Sequence, residues 1–469
     1  MKLSNPTLGP IVGYTSHSQS RIWFRGQFEQ TGESSYRRCF GILRFRKHGA
    51  KKWSSPLVNK MSPNFDMTCV LVLQELEPET EYQYQVGWMT MDAELTSVTQ
   101  IQGSLIEWPD SIYSFITGTA DGTKERSYAV GSCRYLLKTF IADIFDDRGD
   151  KVFKSIAEQN QQSPIHGLMM VGDQIYADDL NFLAPDTCLS EYLKRYRTVF
   201  SQEYIRKLMA NIPTYMILDD HEIEDNWPAK ASEEDKVKLY PQAIHAYQIY
   251  QCSHSPLFDV DSDGRIDGVL QKFWYSFNDG CADWFVMDCR TERVMNVAQR
   301  RMIKSEQLEA LLNWLSDNSG KVKLVVTSVP FVPDLLEENE DKWGGFSEQR
   351  EVILEAIASQ SAPKVVFVSG DVHCSFTAEI RHVDSANPIA YQVVSSSFFW
   401  PYPHMEKKDF QMDGPIKSNQ SASEFSARIN SPVYSEDNFV RLDISVTSVS
   451  VSFFKRKGDS LGKSIQMAF

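Results

Sequence analysis

The stretch MMVGDQIYADD, residues 169–179, contains the feature that decides how this chain folds. Met169, Met170 and Val171 form an apolar run typical of a buried strand, and the run stops at Gly172. Three carboxylic acids and a phenol follow it: Asp173, Tyr176, Asp178 and Asp179. Two interpretations are open at this point. The segment is either a polar loop that leaves a sheet, or a loop whose carboxylate and phenol groups bind a metal ion.

Length and composition indicate a globular protein of more than one domain. The chain has 469 residues, a length typical of two or three domains, and its 42% hydrophobic residues are enough for substantial cores. The formal net charge of −14 disfavours nucleic-acid backbones and anionic membranes, so we expect no stable nucleic-acid binding. No apolar run approaches the ~20 residues that cross a bilayer, so no transmembrane segment is predicted.

The cysteines and the first residues bear on the compartment. The opening segment, MKLSNPTLGPIVGYTS, lacks the apolar core of a signal peptide. The eight cysteines form no CxxC pair and no closely spaced framework, which favours reduced thiols. We therefore predict a cytoplasmic protein. The sequence does not define an oligomeric state.

The first part of the chain has the period of half-buried strands. In EYQYQVGWM, residues 81–89, one face carries Tyr82, Tyr84, Val86 and Trp88. The run from Leu76 to Tyr84 resembles the tyrosine corner of fibronectin type III domains. We therefore predict that residues 1–120 form a small, fibronectin-III-like β-sandwich, and that TGTADGTKER, residues 117–126, is a linker.

After residue 125 short apolar strands alternate with helical segments. The segment 189–211, for example, has a helical pattern throughout. Nearly continuous apolar strands bounded by helices are typical of sheets that helices cover on their outer faces. The sequence therefore predicts an α/β domain over residues 125–469.

Four of the predicted strands end in side chains that can bind metals. The first runs into Cys133, the second into Gly172-Asp173-x-x-Tyr176, the third into DDHEIEDNW at 219–227, and a later one into GDVH at 370–373. Ligands of α/β sheets collect outside the carboxyl ends of the strands. Four such strand ends favour a functional site over plain loop polarity.

The mixture of side chains at these ends suits two metal ions that share one carboxylate. Thiolate and phenolate favour a trivalent iron, whereas an all-oxygen position suits Ca²⁺, Mg²⁺ or Mn²⁺. Asp173 is placed in the sequence where it could bridge the two. Paired metals about 3.5–4 Å apart activate water and hold both oxygens of a displacement at phosphorus.

These motifs carry a family resemblance. The pattern G-D-x-x-Y, then D-H-E-x-x-x-N, then G-D-V-H resembles the calcineurin-like metallophosphoesterases. With GSC at 131–133 as its opening, the segment from about 125 to 455 is similar to the alkaline phosphatase D family. The resemblance implies an αββα metallophosphoesterase sandwich that follows an N-terminal β-sandwich, and hydrolysis of phosphomonoesters or phosphodiesters by a metal-activated water. It also implies Fe³⁺ with Ca²⁺, where Mg²⁺, Mn²⁺ or Zn²⁺ could replace the second ion. The family is often exported on a twin-arginine signal, which this sequence does not show.

The resemblance assigns roles to individual residues. It implies iron ligands at four positions: Cys133, Asp173, Tyr176 and His373. Asp173 would bridge to the second ion, whose other ligands would be Asp220, Asn226 and Asp371. His221 would donate a proton to the leaving group, and Arg134 would face the substrate oxygens. Glu222 and Asp225 are expected to support the ligands and not to bind metal.

Other interpretations of the same residues remain open at the level of sequence. Cys133 could be a buried packing residue, Tyr176 a core aromatic, and Arg290 either a site residue or half of a salt bridge. A phospholipase-D-like diesterase would need an apolar lip, which SSSFFWPYPHM at 395–405 could supply; the same stretch could instead be a pocket wall. A non-catalytic binding protein with a structural metal site is the alternative from another class. Such a protein would have no use for His221.

A separate acidic turn, DVDSDGRIDGVL at residues 259–270, resembles an EF-hand loop. Five residues match that loop: Asp259, Asp261, Asp263, Gly264 and Asp267. Leu270 stands where a bidentate Glu is required. The turn is predicted to be either a weak structural Ca²⁺ site or an acidic hairpin.

Overall fold

The computed structural model describes residues 2–469 except 29, 32–34, 37, 92–105, 137–146, 179–184, 262–265, 268–269, 318, 338, 362 and 419–422. Its first part is a β-sandwich of a three-stranded and a four-stranded sheet. The three-stranded sheet has the order β1-β2-β7, with β1 Leu8–Thr15, β2 Ser20–Arg25 and β7 Thr68–Leu73. The four-stranded sheet has the order β6-β5-β8-β9, with β5 Arg38–Lys47, β6 Leu57–Met61, β8 Glu81–Met91 and β9 Tyr113–Ile116. A two-stranded ribbon pairs β3 Gln30–Thr31 with β4 Ser35–Tyr36.

The predicted β-sandwich is confirmed in its packing. The predicted face of β8 lies in one core cluster with side chains of β1, β2 and β7 from the opposite sheet. Tyr82 closes the corner, because its hydroxyl accepts the backbone N–H of Glu77 at 2.9 Å. The sandwich also packs on the rest of the chain: Trp23 Nε1 donates to the carbonyl of Ile249 at 3.0 Å, and the Tyr84 hydroxyl donates to that of Ala210 at 2.6 Å.

The second part contains two large sheets. The six-stranded sheet has the order β12-β11-β10-β23-β24-β25, with β10 Arg126–Gly131, β11 Gly167–Val171, β12 Thr214–Ile217, β23 Asn438–Ile444, β24 Ser448–Lys455 and β25 Ile465–Ala468. The eight-stranded sheet has the order β15-β16-β17-β18-β20-β19-β22-β21, with β15 Tyr275–Asp279, β16 Ala282–Val286, β17 Val322–Val326, β18 Val365–Ser369, β19 Phe376–His382, β20 Ala390–Val394, β21 Asp413–Pro415 and β22 Phe425–Ile429. Strands β10, β11 and β12 are parallel to one another, as are β16, β17, β18 and β20.

Helices cover the outer faces of both sheets, as predicted for an αββα sandwich. The helices are α1 Arg148–Gln162, α2 Leu189–Phe200, α3 Glu203–Met209, α4 Glu233–Lys238, α5 Tyr240–Tyr247, α6 Ser305–Ser316 and α7 Ser347–Ala358. Helices α1, α2, α3 and α5 share one apolar core with β11. Helices α6 and α7 share another with β17 and β18. Between the sheets lies a third core, in which Val130 and Val171 meet Trp284 and Val366. The predicted fold class is confirmed.

Two details differ from or limit the sequence predictions. The helical pattern over 189–211 forms two helices and not one, because the chain turns at Ser201 and Gln202. The Asp150 carboxylate accepts backbone N–H groups in the first turn of α3, from Tyr204 at 2.7 Å and from Ile205 at 2.9 Å. The acidic turn contains a hairpin of β13 Asp259–Val260 and β14 Ile266–Asp267; its Asp263 and Gly264 lie outside the described residues, so the calcium interpretation remains a prediction. Within the described ranges, no helix has the length and apolar character needed to cross a bilayer.

Candidate metal centre

The candidate site lies where the two large sheets meet at the carboxyl ends of their strands. The segments after β10 and β11 run side by side, because the N–H of Cys133 donates to Gly172 at 3.2 Å and that of Arg134 to Asp173 at 2.9 Å. The segment after β20 of the other sheet joins them through the N–H of Phe398, which donates to Ser132 at 2.8 Å. Polar side chains from both sheets therefore face one small volume.

Glycines allow this close approach. At Gly172, where φ is +103°, an added Cβ would lie 2.6 Å from the Cβ of Asp219. At Gly370, which follows β18, an added Cβ would lie 2.2 Å from the Ser132 Oγ across the sheet boundary. The two glycines of the G-D motifs are thus needed because a side chain at either position would push the strand ends apart.

The four predicted iron ligands lie together. Donor atoms of Cys133, Asp173 and His373 are all within 4.8 Å of one another. Cys133 Sγ is 3.2 Å from Asp173 Oδ2, and the Tyr176 hydroxyl is 3.4 Å from His373 Nε2. The structure thus brings a thiol, a carboxylate, a phenol and an imidazole to one point.

Two further groups adjoin the first: one shares Asp173 with it, and the other shares Asp220 with that second group. Asp173, Asp220 and His221 form one, and Asp219, Asp220 and Asp371 form the other, each with donor atoms within 4.8 Å. The backbone N–H of Asn226 donates to Asp220 Oδ2 at 2.7 Å, which places this residue beside the group. The role of its side-chain oxygen remains a prediction. Asp219 was not predicted as a site residue.

The backbone at these positions is unusual. Among the described residues, nine non-glycine residues have positive φ, and five of these are predicted ligands: Cys133, Asp173, Asn226, Asp371 and His373, with φ between 49° and 71°. The left-handed region of backbone angles is unfavourable for most residues, and the residues that adopt it cluster at functional sites. The turns therefore hold the ligands in place at a cost in backbone energy.

The donor set fits metal ions. Oδ1 of Asp173 and Oδ1 of Asp220 are buried and have no hydrogen-bond partner among the described residues. Buried carboxylate oxygens without partners are costly, and a cation would satisfy them. Thiolate, phenolate and imidazole beside a carboxylate suit iron, and the oxygen-rich neighbouring group suits a harder divalent ion.

The protonation equilibria of these groups depend on burial. Burial, and then the charge of Asp173, raise the pKa of Cys133 well above its ordinary value. Burial likewise raises the pKa of Tyr176. Burial lowers the pKa of His373 well below its ordinary value, so its imidazole is neutral and has a lone pair to offer. Cys133 and Tyr176 would therefore become anionic only when a strongly acidic metal binds.

The predicted proton donor has a partner that the sequence analysis did not assign. His221 Nδ1 lies 2.8 Å from Asp178 Oδ2, and both side chains are largely buried. Burial lowers the pKa of His221, but the charges of Asp220, Asp178 and Asp173 outweigh it and hold the pKa well above its ordinary value. Asp178 stands two residues after Tyr176 in the opening stretch. This closeness in sequence to a predicted ligand was the one signal that could have pointed to it.

Glu222 supports the site, as its predicted role requires. It is fully buried and accepts the backbone N–H groups of Asp173, Gln174 and Asp219 at 3.1, 2.6 and 2.9 Å. Burial raises the pKa of Glu222 to about 7, although these hydrogen bonds oppose the shift. One carboxylate thus ties the loop after β11 to the loop after β12.

The predicted role of Arg134 is wrong. Its side chain is fully buried and points away from the ligand groups: Nη1 donates to the carbonyl of Val199 at 3.1 Å, and Nη2 donates to Gln202 Oε1 at 2.9 Å. Nη2 also lies 3.6 Å from Asp150 Oδ1. Arg134 therefore fastens the junction of α2 and α3 and does not face substrate.

Other cations stand beside the carboxylates instead. Arg290, whose role the sequence left open, is buried and pairs with Asp219 at 2.5 Å; its Nη2 lies 3.4 Å from Asp220 Oδ1. Lys342, which sequence reasoning missed, has its Nζ 2.5 Å from Asp371 Oδ2. No motif spacing links Lys342 to the strand ends, so the sequence offered no signal for it.

The aromatic stretch 395–405 divides between core and site. Phe398 and Phe399 are buried, which removes them from the predicted apolar lip. Trp400 is only partly buried and stacks on the His373 ring, with centroids 3.6 Å apart and planes 13° apart. Its neighbour Tyr402 packs against it at 5.1 Å. The stretch thus forms an aromatic wall of the candidate site, not an extended lip.

Comparisons with known proteins agree with this architecture. A model of the PhoD-like phosphatase family matches residues 141–453. Alkaline phosphatase D of Bacillus subtilis (strain 168) is 25% identical over 218 residues, which cover 42% of this chain and only 37% of that relative's length. A solved structure of PhoD has a TM-score of 0.72 at 18% identity, covering 99% of this chain and 89% of that one, and so shares its fold. The family model spans well over half of this chain, and the chain therefore belongs to the PhoD-like phosphatase family.

Proposed function

We propose that this protein hydrolyses phosphate esters, either monoesters, diesters or both, at a pair of metal ions. One observation supports this proposal above the others: Asp173 belongs both to the group with Cys133 and His373 and to the group with Asp220. A carboxylate common to two adjoining ligand groups is what a bridged metal pair requires. Family membership supports the same reaction class.

The proposed ligands divide by chemistry. Cys133, Asp173, Tyr176 and His373 would hold Fe³⁺, and Asp173, Asp220, Asn226 and Asp371 would hold the second ion, which we propose is Ca²⁺ or a similar divalent ion. When bound, such a pair supplies Lewis-acid charge for the phosphoryl oxygens and activates the attacking water. The chain's own part is to hold the ligands through the strained turns and the Glu222 hydrogen bonds.

His221 would act as the proton donor to the leaving oxygen. Asp178 engages its Nδ1, which leaves Nε2 for the substrate. Of the charges that raise the pKa of His221, that of Asp178 belongs to no proposed metal ligand, and it favours the protonated form that a general acid needs. Asp178 is then a positioning residue that fixes the orientation of the ring.

A reducing compartment suits this site. The eight cysteines, all of them among the described residues, form no disulfide, and Cys133 must remain a thiol to serve as a ligand. We therefore propose a cytoplasmic location. The partner would be a phosphate-ester substrate.

Turnover of para-nitrophenyl phosphate and bis(para-nitrophenyl) phosphate, together with metal analysis of the untreated protein, tests the proposal. We expect hydrolysis of at least one ester, stoichiometric iron, and loss of activity in Asp173→Asn. The exposed Asp384→Asn, in the turn after β19, is the matched control and should retain activity. A protein that holds both metals but hydrolyses neither ester would instead be a binding protein with a structural metal site.

A further inference from the structure

Two positive charges face the ligands proposed for the second ion. Lys342 Nζ lies 2.5 Å from Asp371 Oδ2 and 3.0 Å from Asp341 Oδ2. Arg290 Nη2 lies 3.4 Å from Asp220 Oδ1 and 3.8 Å from Asp371 Oδ1. Asp173 has no such neighbour, since no Lys or Arg of the described segments lies within 4.0 Å of its carboxylate. The two positively charged side chains therefore lie at the oxygen-rich end of the site.

Arg290 is a fixed part of the structure. Its side chain is wholly buried, with Nε 2.5 Å from Asp219, and Nη1 3.1 Å from the carbonyl of Trp227 and 2.7 Å from Asp341. Two of its nitrogens are thus engaged away from the ligands. Moving it would break several buried contacts at once, so its charge stays in place whatever occupies the site.

Lys342 is held much less firmly. Its side chain is 15% exposed, and the two contacts described for its ammonium group are with Asp341 and Asp371. A lysine side chain is flexible, and its charge can leave one partner for water without unfolding its surroundings. The ammonium group also lies against one of the two oxygens of Asp371, a proposed ligand of the second ion.

We propose that Lys342 competes with the second metal ion for Asp371. This inference rests on the proposed function, because it presupposes a second metal. The ion would enter only as the ammonium group withdraws, so the second ion would bind more weakly than the ligand count implies. Among the residues that the structure describes, the iron group has no such competitor, and the two metals would differ in affinity through the chain's own charges.

The direction of the effect follows from charge alone. Removing the ammonium group frees the carboxylate and removes its repulsion of an incoming cation. A positive charge beside a carboxylate attracts it, and the same charge repels a second cation that approaches the same oxygens. Arg290 retains its charge in every variant, so the contribution of Lys342 can be measured separately.

Calorimetric titration of the iron-containing protein with Ca²⁺ provides the test. We expect Lys342→Met to bind Ca²⁺ at least about tenfold more tightly than the unaltered protein, with unchanged iron content. Lys342→Gln should behave alike and replaces the first variant if that one fails to fold. The matched control is Lys323→Met, which removes another buried lysine, paired with Asp283 at 3.4 Å, and should leave the affinity unaltered.

The outcomes separate this inference from the proposed function. If the Lys342 variants bind Ca²⁺ no more tightly than the unaltered protein does, competition by Lys342 is refuted while the metal pair stands. If neither form takes up Ca²⁺, Mg²⁺, Mn²⁺ or Zn²⁺ beside iron, the two-metal function fails, and this inference fails with it.

Discussion

His221 Nδ1 and Asp178 Oδ2 are 2.8 Å apart, and the same carboxylate oxygen accepts the backbone N–H of Asp225 at 3.1 Å. One carboxylate therefore joins the loop after β11 to the loop after β12 and sets the plane of the imidazole ring. The contact also fixes which ring nitrogen is free. A ring so held leaves Nε2 for the proton transfer that we propose.

Replacing His221 by Ala should lower turnover by about 10²–10⁴ on esters with poor leaving groups, because such groups depend on protonation. An activated aryl ester should lose less. Metal content, measured by elemental analysis, should stay near that of the unaltered protein. A large loss of metal would show that His221 is a ligand, which its proximity to Asp173 and Asp220 makes a necessary control.

Asp178→Asn should lower turnover less than His221→Ala does, because it disturbs the ring's orientation and charge while leaving the proton donor present. The pH profile of turnover should change as well, since Asp178 is one of the charges that raise the pKa of His221. Asp225→Asn changes a neighbouring acid whose carboxylate pairs with Lys230 and serves as the control. Identical pH profiles for Asp178→Asn and the unaltered protein would remove the positioning role.

If Fe³⁺ is bound as we propose, Tyr176→Phe should shift or bleach the visible colour that it gives the protein. A free phenol has a pKa near 10, and burial raises that of Tyr176 further, so only a strongly acidic metal would hold it as the phenolate. Ferric phenolate and ferric thiolate both absorb visible light, and Cys133→Ser should alter the spectrum independently. An unchanged spectrum in Tyr176→Phe with stoichiometric iron would show that Tyr176 is not a ligand.

Arg134→Met should destabilise the protein by about 3–5 kcal/mol, because it removes a buried charge that holds the α2–α3 junction. Chemical denaturation measures this loss, and KM for para-nitrophenyl phosphate, taken well below the melting temperature, should be unchanged. The half-exposed Arg428→Met is the control for loss of an arginine. A higher KM with normal stability would instead place Arg134 at the substrate.

The free energy of unfolding should fall as the pH drops from about 6.5 to about 4, in part through His254. Burial lowers the pKa of this fully buried histidine to about 4, whereas in the unfolded chain it lies near 6.5. The unfolded state therefore takes up the proton first, and the contribution, complete above pH ~6.5, is lost over that window by on the order of 3 kcal/mol. His254→Gln should flatten the pH dependence, and the exposed His17→Gln should not. Parallel curves for His254→Gln and the unaltered protein would contradict this account.

The sequence predicted the elements of the site better than the directions of its side chains. Apolar strands followed by Cys133, Asp173 and Asp371 could be recognised, because strand ends of α/β sheets converge whatever the details of packing. Arg134 was misassigned because adjacency to Cys133 in the sequence does not determine the direction of its side chain.

The sequence could not predict Lys342 or the break between α2 and α3 for a different reason. Lys342 reaches Asp371 from a segment between β17 and α7, and only the packing of the eight-stranded sheet brings them together. The break between α2 and α3 likewise depends on Asp150, a residue of α1. Contacts between distant segments of this kind carry no local pattern.

The left-handed turns at five predicted ligands have a consequence for folding. The left-handed conformation costs most side chains roughly 1 kcal/mol compared with glycine, and Asp and Asn less, so the five turns together oppose part of the 5–15 kcal/mol by which a folded protein is stable. A chain selected for stability alone would place glycine at these positions and lose the site. Cations that bind the folded ligands, and not the unfolded chain, would return that energy by mass action. Metal binding and folding would then be linked, and the metal-loaded protein would resist unfolding better than the metal-free protein.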